Sequence, residues 1–313
     1  MTKIEYFKNF NMGKELQNAG EFVFESASKM YGLVSFYDDH IINLILYNGS
    51  VGIERLQKIL ICLYIDTFDD LKIKQDSQLL KHNHGELQRK LVEKKIIQKL
   101  SKCDNSLLEL FGTYYNKYRY KEYSITDDNS INVLFCNYLN KYCEEKCGEN
   151  IRLTICQKDK IKKFYINTIG KLAKQYFDLI EKKARDLNLY TYEILPESNA
   201  ATVYWIQNDL YDEFDFNSRS IKELLLFLVK SNNIGGIKKL MNELNPLDID
   251  SAMINEYLYD LVSNRQMLSL KESISELYNN IDNAELKNRV KIIDLIGDPD
   301  CYLNDLEDIE EEY

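Results

Sequence analysis

The stretch from Gly49 to Asp66, GSVGIERLQKILICLYID, constrains this chain more than any other. Ile53, Leu56, Leu60 and Leu63 recur at i, i+3, i+7 and i+10, which places them on one face of a helix. Ile59, Ile61, Cys62, Tyr64 and Ile65 make the second half apolar almost all round. A helix of that kind has to sit inside a fold, with other elements on every side. The first half is polar: Glu54, Arg55, Gln57 and Lys58 crowd it, with Glu54 and Lys58 spaced as an i, i+4 pair. That turn is either a functional site or a solvated helix end.

The chain holds 12 Gly and 3 Pro in 313 residues, and so few breakers favour helices elsewhere too. Leu16, Ala19, Val23 and Met30 mark one face of a helix over 12–36. Asp38 and Asp39 open a second, which Asn48-Gly49-Ser50 is expected to interrupt before the Gly49–Asp66 helix. Residues 67–81 read as a loop and 82–100 as a helix. Ser106-Leu-Leu-Glu109 has the form of a capping box, starting a helix that carries Leu107, Phe111, Tyr114 and Tyr118. Further helices are expected over Ser130–Cys147, closed by Gly148, and over 157–188, the longest. YTYEIL (190–195) and TVYWIQ (202–207) have strand composition and flank a Pro196–Asn199 turn, which predicts a β-hairpin. From Ser218 the pattern is helical again, with capping boxes at Ser220–Glu223 and Ser269–Glu272. The expected fold is therefore all-α. It comprises a helical bundle over 1–189, a short hairpin or linker over 190–217, a C-terminal helical domain over 218–297 and an acidic, mobile tail over 298–313.

The net charge of −10 belongs to that tail. Nine acids follow Lys291 and no base does, so the remaining 41 acids face 40 bases. Such a body sets up no global field toward nucleic acid, and any RNA contact has to come from a local patch. No stretch of 18 apolar residues is present to span a membrane. Seven cysteines, an odd number, with no apolar leader at the start predict reduced thiols and a cytoplasmic protein. Neither GxxxxGK[ST] nor GxGxxG occurs, so no nucleotide cofactor is expected. Cys136, Cys143 and Cys147 share a helical face, with Cys156 beyond it. Without two-residue spacers that stripe reads as core packing rather than as zinc ligands, and no metal is expected.

Two further stretches carry candidate chemistry. His82-Asn83-His84-Gly85-Glu86 opens a helix, where His84 is either a satisfied helix-terminal imidazole or a proton-transfer residue. YYNKYRYKEY (114–123) interleaves Lys117, Arg119 and Lys121 with Tyr120, Tyr123 and other tyrosines. Such a run stacks bases and holds phosphates, or else packs its rings and wets its hydroxyls.

Together GSVGIERLQKILI, HNHGELQRKL and YYNKYRYKEY resemble the HEPN-like helical bundles of prokaryotic antiviral-defence and toxin–antitoxin systems, over about residues 12–188. The resemblance implies a helical bundle and pairing into a homodimer. Catalytic members resemble metal-independent endoribonucleases with an Arg followed five to seven positions later by a His on one helix. None of this chain's arginines has a His in that window. A site here has to be composed from separate helices: Arg119 holding phosphate, His84 moving a proton, Glu54 orienting a partner and Tyr120 beside them, with Lys117, Lys121 and Tyr123 on the nucleic acid. Three functions follow as expectations. The first is a helical interaction or regulatory protein of a defence or toxin–antitoxin system, acting through a protein partner or a homodimer. The second is an atypical HEPN-type endoribonuclease with RNA as substrate. The third is a nucleotide or small-ligand binding domain with a pocket between helices.

Overall fold

The computed structural model describes residues 1–74, 84–120, 123, 130–144, 155–205, 209–230, 244–262 and 267–296. All regular structure among them is helical. The chain divides into two compact units, Met1–Asp215 and Phe216–Tyr313. In the first, α1 (Lys3–Tyr6) runs through a π turn, Phe7–Asn11, into α2 (Met12–Tyr31). Then follow α3 (Asp39–Leu63), α4 (Phe68–Lys74), α5 (His84–Glu93), α6 (Lys102–Thr113) with a π turn at Tyr114–Tyr118, α7 (Ile131–Tyr142), α8 (Ile155–Asp186) and the short α9 (Asn199–Tyr204). α10 (Leu210–Lys230) crosses the division between the units.

α3 is the axis of the first unit and packs against α2, α5, α6, α7 and α8. It runs unbroken for 25 residues, contrary to the interruption expected at Asn48-Gly49-Ser50. Gly49 and Gly52 serve close approach here, not a turn. A Cβ on Gly49 would sit 2.8 Å from Phe111 Cζ, and one on Gly52 2.8 Å from Val23 Cγ2. The bare backbone lets α2 and α6 close onto α3, and that packing outweighs the roughly 1 kcal/mol helix cost of each glycine. At the end of α3, Lys8 is buried and its ammonium donates to the Leu63 carbonyl at 3.0 Å, satisfying an orphan helix-end acceptor.

Several boundaries differ from the sequence expectation. Part of the loop expected over 67–81 is helix α4, whose first turn Thr67 caps by accepting from Asp70 N. α6 starts at Lys102 under a Ser101 cap, while Ser106 hydrogen-bonds the Tyr142 hydroxyl instead. α7 closes at Tyr142, Cys143 being extended, and the expected end at Cys147-Gly148 lies outside the described residues. Ser220 lies inside α10 and bonds back to Phe216 O.

The β-hairpin is the largest correction. Residues 190–198 form turns, Ser198 caps α9, and no strand occurs among the described residues. The strand-like segment finds acceptors without a ladder. Tyr190 N donates to Asn9 Oδ1, Thr191 Oγ1 to Lys8 O and Leu195 N to Gln17 Oε1. Tyr204 then buries its ring flat on Phe177, at 4.5 Å, and donates its hydroxyl to Leu16 O. The described residues of 190–215 thus fall within the first unit.

In the second unit, α11 (Ile254–Val262) follows a 3₁₀ turn at Ser251–Met253. α12 (Leu268–Asn279) starts before the expected Ser269 cap, and Ser269 donates to Glu256. α13 (Asn283–Ile293) is capped by Asp282. The acidic tail over 298–313 lies outside the described residues. No described helix is long and apolar enough to cross a membrane.

Candidate functional site

α3 reaches into the bundle with an acid. Glu54 is 5% exposed, and the helix carries it inward because its neighbours Ile53, Leu56 and Gln57 face the same interior. Lys58, one turn on, closes on it with Nζ 2.6 Å from Oε1. His84, the first residue of α5, lies on the other side with Nε2 3.8 Å from Oε2. The imidazole is fully buried and tilts against the Phe111 ring, 5.9 Å away. Glu54 and His84, paired on sequence grounds, are therefore brought together.

Beneath them runs a polar chain that sequence reasoning missed. Gln57 Nε2 donates to the His84 carbonyl at 3.3 Å and to the Tyr176 hydroxyl at 3.1 Å. Tyr176 in turn donates to Gln88 Oε1 at 2.5 Å. Three helices, α3, α5 and α8, are tied at one level by this chain. Its only sequence signal was glutamine at positions that a helical wheel assigns to the apolar face, at Gln57 among Ile53, Leu56 and Leu60.

Arg119 stands at the end of the π turn after α6. Its guanidinium bonds the Tyr115 hydroxyl and lies over the rings of Tyr115, Tyr120 and Tyr47, at 4.5, 4.9 and 5.3 Å. Those aromatic faces hold the cation where a lysine in its place would swing freely. Tyr115 links this group to the first one. Burial pushes its phenol up, Arg119 draws it down and Glu54 pushes it up again, so one hydroxyl feels both charges. Burial drives the neighbouring Tyr114 phenol well above its usual range, with Arg119 opposing, and that hydroxyl donates to Asn43. Tyr120 and Tyr123 are exposed and meet edge to face at 6.4 Å; Lys117 is exposed; Lys121 lies outside the described residues.

The two halves offer different chemistry. A general acid–base group has to reach the proton it moves, directly or through one water. His84 has no exposed surface, so in this arrangement it braces Glu54 from inside. The half-buried Arg119, with exposed Tyr120 and Lys117 beside it, faces outward and suits an anion. Among the described residues no cluster of three or more His, Cys, Asp or Glu is placed to hold a metal ion. Cys136 packs half-buried against the core and Cys143 is buried within it, while Cys147 and the side chain of Cys156 lie outside the described residues. In comparisons with protein-family models, curated proteins and solved structures, nothing matches this chain.

Proposed function

We propose that the chain is a helical interaction or regulatory protein whose second unit docks a protein partner. The HEPN-like resemblance sets this in a prokaryotic defence or toxin–antitoxin context. The observation that carries the reading is the exposed apolar stripe of helix α11. Ile254, Leu258 and Leu261 fall at i, i+4 and i+7, one apolar stripe, and are 46%, 40% and 37% exposed. The flank of the helix beside that stripe holds its buried residues, Tyr257 and Asp260. Phe216, Leu224 and Phe227 of α10 are likewise exposed. Tyr257 is the one hydrophobic residue that the described part of the second unit buries. Apolar side chains left exposed together on a protein surface mark binding faces.

The test uses the full chain with a photo-reactive residue at position 258, and at exposed Lys287 as the control, irradiated in host cells. A single saturating protein adduct from position 258 alone is the expected result; sedimentation equilibrium then tells a second copy from a different protein. Equal, diffuse labelling from both positions in a chain that sediments as a monomer overturns the reading.

The ribonuclease reading has the Arg119–tyrosine cluster in its favour and the burial of His84 against it. RNA cleavage in EDTA that is lost in His84→Ala would establish it in place of the interaction reading.

A further inference from the structure

A cavity of 460 Å³ lies away from the Arg119 cluster, between the first π turn, the start of α2, the second half of α3 and α4. Its floor is apolar: Phe7, Met12, Ile59, Cys62 and Leu71. Its rim is cationic: Lys14, Arg55 and Lys58, with Glu15 the one acid among the lining residues. The interaction reading does not use this space, and the candidate site meets it only at Lys58.

The rim cations are arranged in two ways. Arg55 bonds Glu15 and lies over the Phe22 ring at 5.2 Å, and Lys58 is held on Glu54. Both are thereby fixed in place before any ligand arrives, which lowers the entropy cost of binding. Lys14 is exposed and makes no ion pair or hydrogen bond among the described residues, so its charge is available. Counting Glu54 behind Lys58, the surroundings carry three positive and two negative charges, an excess of one. The volume falls within the ordinary range of small-ligand pockets.

The geometry points to a binding site for an amphipathic monocarboxylate, its aliphatic body on the Met12–Ile59–Leu71 floor and its carboxylate at Lys14 on the rim. A single excess positive charge suits one negative charge. A nucleotide carries two or more, and the floor offers Phe7 as its one aromatic residue.

The experiment titrates decanoate, below its micelle concentration, into the full chain carrying labelled Met and Ile methyl groups. Decanol and AMP serve as comparison ligands. Saturable shifts of the Met12 and Ile59 methyls with decanoate, and at least tenfold weaker binding of decanol, are expected. Lys14→Glu, a change at an exposed side chain, is expected to weaken decanoate roughly tenfold. Leu71→Asp, which places a like charge on the floor, is expected to abolish the shifts. Equal affinity for decanol removes the carboxylate from the assignment. Shifts with AMP but not decanoate replace the ligand class. Decanoate binding that Lys14→Glu leaves unchanged, or that never moves Met12 and Ile59, overturns the site. None of these outcomes bears on the docking face of α11, so this inference and the interaction reading fail separately.

Discussion

Raising the pH above 10 should unfold this protein through three of its tyrosines. Tyr165, Tyr176 and Tyr204 are fully buried, and burial pushes each phenol well above the usual range for tyrosine. Each also donates its proton to a fixed acceptor. Tyr176 gives to Gln88 and Tyr204 to the Leu16 carbonyl. Ser26 donates to the Ile45 carbonyl at 2.8 Å, so the Tyr165 hydroxyl, 2.9 Å from Ser26 Oγ, is the donor there. An anion at any of the three would face an acceptor in a dry interior.

In the unfolded chain the same phenols ionise near pH 10. A group whose folded pKa is raised contributes stability that is intact below the unfolded pKa and is lost as pH climbs toward the folded one. Per phenol held neutral, the loss is about 1.4 kcal/mol at pH 11 and about 2.7 kcal/mol at pH 12. Three phenols therefore cost about 4 and about 8 kcal/mol, against a typical domain stability of about 5–15 kcal/mol. Unfolding of the first unit is expected between pH 11 and 12. The assay follows tyrosinate absorbance at 295 nm together with helical circular dichroism at 222 nm. Tyr165, Tyr176 and Tyr204 should ionise only as ellipticity collapses. Complete ionisation of every tyrosine near pH 10 with unchanged ellipticity would refute the reasoning, as would Tyr165→Phe and Tyr204→Phe leaving the alkaline midpoint where it was.

Gly20→Ala should be severe for a single methyl. The new Cβ meets Ala200 Cβ at 2.4 Å and its Cα at 2.7 Å, backbone that cannot swing aside, so α9 is pushed off α2 at about 2–3 kcal/mol, read by urea denaturation. Glu54→Gln strips the carboxylate from Lys58 and His84 and should cost about 2–4 kcal/mol, with much of it recovered in Glu54→Gln/Lys58→Met; an additive double mutant would contradict the pairing. Lys8→Met removes the donor to the Leu63 carbonyl, at about 1–2 kcal/mol. Burial lowers the Lys8 pKa, so the unfolded chain binds that proton more tightly and the deficit of Lys8→Met should widen as pH rises toward about 10. Arg119→Ala releases three rings and should cost about 1–2 kcal/mol in thermal melts while leaving α3 and α8 intact, as judged by amide exchange.

The candidate site was legible in proportion to how local its signals are. Glu54 and Lys58 announce themselves by a four-residue spacing, and that pair forms. Glu54 and His84 were grouped because both lie in stretches that carry the HEPN-like resemblance, and they do meet, but no pattern in the chain said that the imidazole would be sealed away from solvent. Gln57, Gln88 and Tyr176 form their chain across α3, α5 and α8, a relation no local pattern encodes. The hairpin misreading has the same origin. Strand composition in 190–207 measures fit to a half-buried pleated surface, and a helix end with turns against α2 supplies a comparable environment.

By itself, the sequence determined that this is a helical protein built around an apolar segment near residue 60, because periodicity and the scarcity of breakers act within a turn or two of chain. Only the tertiary structure decided that α3 is one helix rather than two and that residues 190–204 turn into a short helix instead of pairing as strands. It also decided which charges lie inside. Those outcomes depend on how closely Gly20, Gly49 and Gly52 let neighbouring helices approach. A glycine reads in sequence as freedom to turn; whether it serves as a bend or as a seat for another helix is set by what packs against it.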